Sequence, residues 1–210
     1  MKRTRWTVVL PLVLISILTA QTNPTEPTAG LQIAPDLDRR LDKFREVRMP
    51  FHSQGLSERE QKMVEKLVDA SRYLEEIFWQ QSDPEALTLY QSLRNSHDPK
   101  AESLRRYLWI NASRFDLIDE NKPFVGTEPM PPGRGFYSKG LTREDIEQFV
   151  KQHPEKKAEI YSGFTIVRRH GDDLQGVPYH VAYQSFLEPA VTDLREAAKL
   201  SSDPAFARSL

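Results

Sequence analysis

The segment that decides the fold reads SEREQKMVEKLVDASRYLEEIFWQQ over residues 57–81. Its first turn is a capping box, because the Ser57 hydroxyl can accept the backbone amide of Glu60 while the Glu60 carboxylate accepts the amide of Ser57. The apolar residues that follow at helical spacing are Met63, Val64, Leu67, Leu74, Ile77 and Phe78. This pattern predicts one long amphipathic helix with a continuous apolar stripe.

Two further helices begin with a different signal. Asp83-Pro84 and Asp98-Pro99 each place a capping carboxylate before a proline at the first helical position. Three helices joined by short breaks predict an antiparallel bundle or a short helical stack. Trp79 and Trp109 lie among apolar residues of these helices, so both are predicted to belong to the core.

The second half of the chain mixes a long loop with a hairpin. Residues 121–141 carry several prolines and glycines and predict some twenty residues without regular structure. Thr142 caps a helix that runs to about Gln152, and residues 164–181 predict a β-hairpin with its turn at 171–173. Residues 185–200 predict another helix. The fold class is therefore mainly α (α+β), a helical lobe with a long Pro/Gly-rich loop and a small β-hairpin.

The N-terminus predicts export to the periplasm or the outside of the cell. Residues 1–20 combine a basic start, an apolar core and a small-residue exit at Ala20, which is typical of a signal peptide. An uncleaved N-terminal anchor is the alternative, and it is the one predicted route to a membrane. Residues 21–43 predict a flexible leader, which is Pro/Thr-rich over residues 21–35 and can form a short helix from Pro35-Asp36 to about Lys43. The lobe is then expected over residues 44–210, with a strand at 44–51.

The composition excludes several classes of function. The chain has no cysteine, which excludes disulfides, thiolate zinc sites and cysteine nucleophiles. Its formal net charge of -1 becomes more negative, at -4, once the three basic residues of the signal are removed. A mildly acidic chain is not expected to bind nucleic acid, which selects a concentrated basic face.

The last residues begin a helix that has little room to continue. Ser202-Asp203-Pro204 repeats the Asp-Pro start signal only a few residues before Leu210. A helix of fewer than two turns is marginal by itself. We therefore expect a lobe that is truncated at its C-terminus, as part of an incomplete two-lobed fold.

Residues that could carry chemistry are few. No histidine is followed by glutamate, so the H-E-x-x-H type of zinc helix does not occur. A metal bound by His170 and His180 beside the hairpin turn is a minor alternative to a plain polar turn. Asp116 lies close to Asp119 and Glu120, and such carboxylates can form an acid–base pair. The alternative is an ordinary helix end whose charge is compensated by Arg114 and Lys122.

Seven stretches together resemble a known family. They are residues 55–60 (GLSERE), 77–83 (IFWQQSD), 115–126 (FDLIDENKPFVG), 129–133 (PMPPG), 140–147 (GLTREDIE), 157–162 (KAEIYS) and 177–180 (VPYH). The chain is similar in these to the N-terminal portion of bacterial dipeptidyl-peptidase III-type zinc metallopeptidases. A related module precedes Nudix domains in some plant proteins.

The resemblance implies an enzyme with two lobes that removes dipeptides from short peptides. Intact family members hold zinc on an H-E-x-x-x-H helix and a further glutamate, and this sequence contains no such segment. No catalytic, cofactor-binding or metal residue is therefore assigned, and no cofactor is expected in this chain. The expected partners are peptides or a separate catalytic lobe.

The resemblance also suggests a role in shaping the peptide cleft. Residues 123–140 and the end of the hairpin are the candidate wall of that cleft. The candidate cleft residues are Arg114, Asp116, Tyr161, Tyr179 and His180. By this hypothesis the chain is a lobe that is inactive alone. The alternatives are a non-enzymatic periplasmic interaction module and an independent hydrolase that uses the carboxylates at 116–120.

Overall fold

The computed structural model describes residues 28–210, so the predicted signal or anchor at 1–20 and the first part of the leader lie outside the described residues. The first half contains helices α1 Leu37–Leu41, α2 Glu58–Ser82, α3 Pro84–Ser92 and α4 Pro99–Asn111, and the short strands β1 Phe115–Asp116 and β2 Lys122–Pro123. The second half contains α5 Arg143–Gln152, α6 Lys157–Ile160, strands β3 Thr165–His170 and β4 Asp173–Pro178, then α7 Tyr179–Ala182, α8 Gln184–Leu200 and α9 Pro204–Ser209. The predicted mainly α class with a small hairpin is confirmed. Within residues 28–210, no helix combines the length and the apolar character needed to span a bilayer.

The helix starts are those that the capping residues predict. The Ser57 amide donates to Glu60 Oε2 at 2.8 Å, which completes the capping box of α2. The α4 cap is equally direct, because Asp98 Oδ2 accepts the Ala101 amide at 2.9 Å. Thr142 forms a second capping box, in which Asp145 takes the place of the usual glutamate. Each cap satisfies amides that the first helical turn leaves without a partner.

Helix α2 packs along its length against α8 in antiparallel orientation. Lys66 Nζ lies 2.9 Å from an Asp193 oxygen and 2.7 Å from a Glu196 oxygen. The Arg59 guanidinium donates to the last two carbonyls of α8. Buried alanines at 70, 190 and 197 let the two helices approach closely. The long partner of α2 therefore comes from the C-terminal part of the chain, rather than from the predicted bundle of α2, α3 and α4.

The larger core lies where α1, α3, α4 and β2 meet the C-terminal end of α2. Tyr107 and Leu104 are fully buried there, and the Tyr107 ring packs edge-on to Phe124 with centroids 4.7 Å apart. Trp79 is buried as predicted and stacks on Tyr90 at 5.1 Å. This core holds α1 and the loop after α4 in fixed positions.

Part of the predicted flexible leader packs against this core. The Ala34 amide donates to the Phe124 carbonyl at 2.9 Å, and Ile33 forms a β-bridge with Val125. Leu37 of α1 is only 5% exposed. The ordered lobe therefore begins before residue 44, because the apolar residues at 31, 33, 37 and 41 cover one side of α4.

Three predictions about apolar residues are wrong. Residues 44–51 form no strand, since no neighbouring strand supplies hydrogen bonds to them. Only Phe44 reaches the core, whereas Val47, Met49 and Phe51 are exposed. Trp109 is 59% exposed and lies on the outer face of α4. The stripe on α2 is also interrupted, because its residues 74 and 78 lie on the surface.

The β-hairpin separates two smaller cores. Ile166 pairs with Val177 in the antiparallel register, and it packs towards Ile77 and Tyr183. Its neighbour Val167 points to the other face and packs against α5 and α6. This alternation is the period-two pattern of a strand buried on both faces. It fixes the side on which the next side chain, that of Arg168, must lie.

We expect acid to weaken the attachment of α1. Asp36 accepts hydrogen bonds from Arg39 at 2.8 Å and Arg40 at 2.9 Å, and these bonds lower its pKa from 3.8 to about 2. A lowered pKa in the folded state means that the contribution to stability is complete above pH 3.8 and is lost as the pH falls through about 2. Urea unfolding of the wild type and Asp36→Asn at pH 6 and near pH 2 should show a difference between them that shrinks in acid. Asp38→Asn, on the same helix but without a salt bridge in the described part, is the matched control.

Candidate functional site

The Pro/Gly loop turns sharply at residues 131–134. The Arg134 amide donates to the Pro131 carbonyl at 3.1 Å, and Gly133 between them has φ 75° and ψ -1°. Proline followed by glycine with positive φ defines a type II turn. Arg134 itself has φ 50°, which is uncommon for a residue with a side chain. Such strained positions are found often at functional sites.

Gly135 brings the loop onto the C-terminal end of α2. A Cβ atom at this position would lie 1.9 Å from the Gln80 carbonyl oxygen and 3.0 Å from that of Gln81. No side chain is possible at such a distance, so the contact requires glycine. The loop and α2 thus pack backbone to backbone.

Arg168 of β3 holds the loop from the other side. Its Nη1 donates to the carbonyls of Phe136 and Val167, both at 3.2 Å, and its Nη2 donates to the Gly135 carbonyl at 3.1 Å. These bonds use three of the five donors of a guanidinium. Burial lowers the pKa of Arg168, and no carboxylate in residues 28–210 forms a salt bridge with it. The positive charge is therefore stabilised by carbonyl dipoles alone.

Two depressions lie on either side of the loop, and Tyr137 contributes to both. The first, which we call the charged cavity, has a volume of about 290 Å³. Its charged wall residues are Asp83, Glu85, Arg114, Arg134, Lys139 and Arg168. The second, the tyrosine cavity, has a volume of about 440 Å³. Its wall includes Tyr137, Leu141, Arg143, Ile146, Glu147 and Tyr161.

Ion pairs fix one side of the charged cavity. Arg114 donates through Nε to Asp83 Oδ2 at 2.8 Å and through Nη2 to Asp83 Oδ1 at 3.1 Å. Asp83 is buried, and the same carboxylate also caps α3 through the Ala86 amide. Glu85 contacts both Arg114 and Lys139, and the hydrogen bond from Lys139 lowers the pKa of Glu85. This network joins the start of α3 to the loop.

The predicted cleft residues separate into different places. Arg114 lies in the wall of the charged cavity, and Tyr161, half-exposed, lies in the wall of the tyrosine cavity. Tyr179 packs between Phe136 and Tyr183, with ring centroids 6.3 Å and 5.7 Å away. His180 is exposed and lines a separate shallow groove on α8. The structure therefore places two of the five candidates, Arg114 and Tyr161, in the cavity walls, and a third, Tyr179, packs against Phe136 of the Pro/Gly loop.

Asp116, the fifth candidate, faces no cavity. It is fully buried, and its Oδ2 accepts the Tyr107 hydroxyl at 2.7 Å and Arg40 Nη1 at 3.0 Å. Its Oδ1 accepts the Ile118 amide. Asp119, the supposed partner in an acid–base pair, instead accepts a hydrogen bond from Lys122 that lowers its pKa. Asp116 and Asp119 therefore bind different partners and share no side-chain hydrogen bond that would make them an acid–base pair.

Three basic residues of the charged cavity were missed by sequence reasoning. Arg134 and Lys139 lie in the loop at 123–140, which was predicted as a candidate wall from its prolines and glycines and not from its charges. Arg168 carried a usable signal, because it follows Ile166 by two positions in an apolar strand and must share its face. A charged residue at an inward position of a strand calls for a specific polar partner.

The described residues do not fit a zinc centre. Zinc in proteins needs three or four converging histidine, cysteine or carboxylate ligands. Within residues 28–210, no three such side chains converge. The predicted minor alternative at His170 and His180 lacks this convergence, since His180 belongs to α7 and not to the hairpin.

Comparisons with known proteins found one similar sequence and two similar solved structures. No family model matches the chain. Nudix hydrolase 3 of Arabidopsis thaliana is 22% identical over an alignment of 228 positions. The alignment covers 83% of this chain and 29% of that protein. The structure of DPP III from Caldithrix abyssi is similar with a TM-score of 0.77 and 33% identity. That of dipeptidyl-peptidase III from Corallococcus sp. strain EGB has a TM-score of 0.76 and 30% identity.

The extent of the match is as informative as its quality. The two solved structures match 81% and 84% of this chain, yet the chain spans only about a third of either of them. This relationship agrees with the family that the sequence motifs predicted. Over about four fifths of its length, the chain is therefore similar to one third of a bacterial dipeptidyl-peptidase III.

Proposed function

We propose that this chain is the lobe that shapes the peptide cleft of an exported dipeptidyl-peptidase III-like zinc metallopeptidase. The observation that carries the proposal is the likeness to two such structures at 30–33% identity across more than four fifths of the chain. In this proposal, the zinc ligands and the residues that activate water belong to the two thirds of those proteins that the chain does not match.

The exposed apolar residues of the lobe support the proposal that a partner polypeptide covers part of its surface. Val47, Met49 and Phe51 are 70%, 88% and 66% exposed, and Trp109 is 59% exposed. Val47 and Trp109 line a cavity of about 690 Å³ between α4 and residues 44–47. Large exposed apolar patches mark surfaces that another polypeptide covers. A catalytic lobe that docks here would bury them.

The Pro/Gly loop supports the role in substrate binding. It is fixed by backbone contact with α2 and by Arg168, and cavities flank it on both sides. Binding sites are typically concave, with apolar walls and a few positioned polar groups. In the proposal, residues 123–140 form part of the wall along which the peptide lies.

The match to a Nudix hydrolase favours a second candidate function. That protein is named for a different chemistry, and less than a third of it corresponds to this chain. The alternative is thus a non-enzymatic periplasmic interaction module that can accompany unrelated domains. The DNA that follows the codon of Leu210 discriminates the two, because an H-E-x-x-x-H segment in the same or the next reading frame favours the peptidase.

We expect the purified chain alone to hold well below one zinc ion and to release no dipeptides from short peptides. A metal site requires that folding brings its ligands together, and the described residues supply no such group. Elemental analysis after mild chelation and a dipeptide-release assay measure both properties. Addition of the polypeptide with the H-E-x-x-x-H segment should restore both, and the control is that polypeptide alone. Stoichiometric zinc, or activity of the chain alone that survives repurification, contradicts the proposal.

A further inference from the structure

The charges of the charged cavity do not balance. Asp83 and Glu85 are its two acidic wall residues, and their carboxylates are occupied by Arg114 and Lys139. Asp83 receives a two-pronged contact from Arg114, with distances of 2.8 and 3.1 Å. These four residues therefore neutralise one another. The remaining basic residue pair has no acidic counterpart in the wall.

That pair is Arg134 and Arg168. Arg134 has a left-handed backbone and lines the cavity, and it forms no salt bridge and no side-chain hydrogen bond with any of residues 28–210. Arg168 is half-buried and spends three donors on loop carbonyls, which leaves Nε and one Nη2 hydrogen. Two guanidinium groups without a carboxylate form a strong site for an anion.

The remaining wall selects an anion with an apolar body. Pro131, Phe115 and Tyr137 line the same cavity beside the basic pair. A volume of about 290 Å³ accommodates a single amino-acid residue and not a large cofactor. A bare inorganic anion would leave the apolar wall uncovered. A carboxylate of a small side chain or of a peptide C-terminus would bind the basic pair, and the carbon atoms attached to it would cover the apolar wall.

We propose that the charged cavity binds the carboxylate of a peptide between Arg134 and Arg168. The choice of a peptide rests on the proposed function, whereas the choice of a carboxylate rests on the charges alone. The carboxylate has two possible sources, the free C-terminus of a short peptide and an aspartate or glutamate side chain. Both use the same fork-to-fork geometry of guanidinium and carboxylate.

The test is a titration of the full chain with three N-acetylated tripeptides. The first is acetyl-Ala-Ala-Ala with a free C-terminus, the second is its C-terminal amide, and the third is acetyl-Ala-Glu-Ala-amide. Calorimetry gives the dissociation constants, and amide shifts of residues 131–139 report the place of binding. We expect at least one carboxylate peptide to bind about tenfold more tightly than the neutral amide. The first peptide identifies a terminal carboxylate and the third a side-chain carboxylate.

Arg134→Gln provides the decisive variant, because within residues 28–210 Arg134 forms no salt bridge and no side-chain hydrogen bond that the fold would lose. In this variant the peptide acid and the peptide amide should have equal dissociation constants, while the thermal unfolding temperature stays the same. Arg208→Gln, which removes the same charge from α9, where Arg208 forms no salt bridge and no side-chain hydrogen bond within residues 28–210, should keep the difference. Equal binding of acid and amide by the wild type, or an unchanged difference in Arg134→Gln, overturns the inference. Neither result affects the proposed function, which is tested by zinc content and dipeptide release.

Discussion

Asp116→Ala should lower the free energy of unfolding by about 3–5 kcal/mol, because it removes one partner of a buried ion pair. Arg40 would keep its charge at a site where its side chain is only 15% exposed. The Tyr107 hydroxyl would lose its acceptor inside the core, where burial and the hydrogen bond to Asp116 already raise the pKa of Tyr107. Urea unfolding at neutral pH, with far-UV circular dichroism as the probe, measures the loss.

Two variants isolate the buried interaction. Tyr107→Phe keeps the ring and removes one hydrogen bond to a charged group, so we expect a cost of about 1.5–3 kcal/mol. The double variant should cost less than the sum of the two single changes, since both remove the same contact. Asp119→Ala, an exposed carboxylate three positions away, should stay within about 0.5 kcal/mol of the wild type. A wild-type-like stability of Asp116→Ala, together with weaker peptide binding, would instead assign Asp116 to a cleft.

Asp116 also shows why the site was harder to predict than the helices. A capping residue acts on amides two or three positions away, so the sequence around Ser57, Asp98 and Thr142 contained the whole interaction. The side chains that bind Asp116 lie 9 and 76 positions away along the chain. Spacing along the sequence carries no information about such contacts. The carboxylate therefore looked available for chemistry when it was in fact a link within the core.

The failed prediction for Trp109 has the same origin. Helical periodicity places Trp109 beside Leu108 and Ile110, but it does not say which stripe of α4 meets the core. The answer depends on α1, which covers the face that contains Leu104 and Leu108. The segment at 44–51 was likewise read as a strand from its apolar residues, although a strand exists only where a neighbour supplies hydrogen bonds. Local sequence signals therefore determined where the helices begin, whereas contacts between residues far apart in the sequence determined which helix face is buried.

The Pro/Gly loop could be predicted from the sequence only in part. Its turn at Pro131–Arg134 was visible as a proline–glycine signal, whereas the role of the long irregular stretch in a binding surface stays a prediction. What the sequence could not reveal is the contact of Gly135 with α2, which lies more than 50 residues earlier. That contact decides where Arg134 and Arg168 stand. It is also the feature of the loop most sensitive to a single substitution.

Gly135→Ala should destabilise the chain by about 3 kcal/mol, near the upper end of what overpacking costs. The new methyl group would lie 1.9 Å from the Gln80 carbonyl oxygen, and a backbone atom of a helix cannot move aside as a side chain does. The loop must then lift from α2, so Arg168 loses its acceptors at 135 and 136. Equilibrium urea unfolding measures the stability, and carboxylate-peptide binding should weaken in the same variant because both guanidinium groups are displaced.

Gly163→Ala makes the matched control, because it adds the same methyl group where no atom lies within 4 Å and the backbone is not left-handed. Replacement of a glycine at such a position reduces the entropy of the unfolded chain and stabilises by about 0.4–1 kcal/mol. The two glycine variants should therefore shift stability in opposite directions. If Gly135→Ala unfolds at the same urea concentration as the wild type, the loop does not depend on its contact with α2. A contact other than that of Gly135 with α2 would then have to hold Arg134 and Arg168 beside the charged cavity.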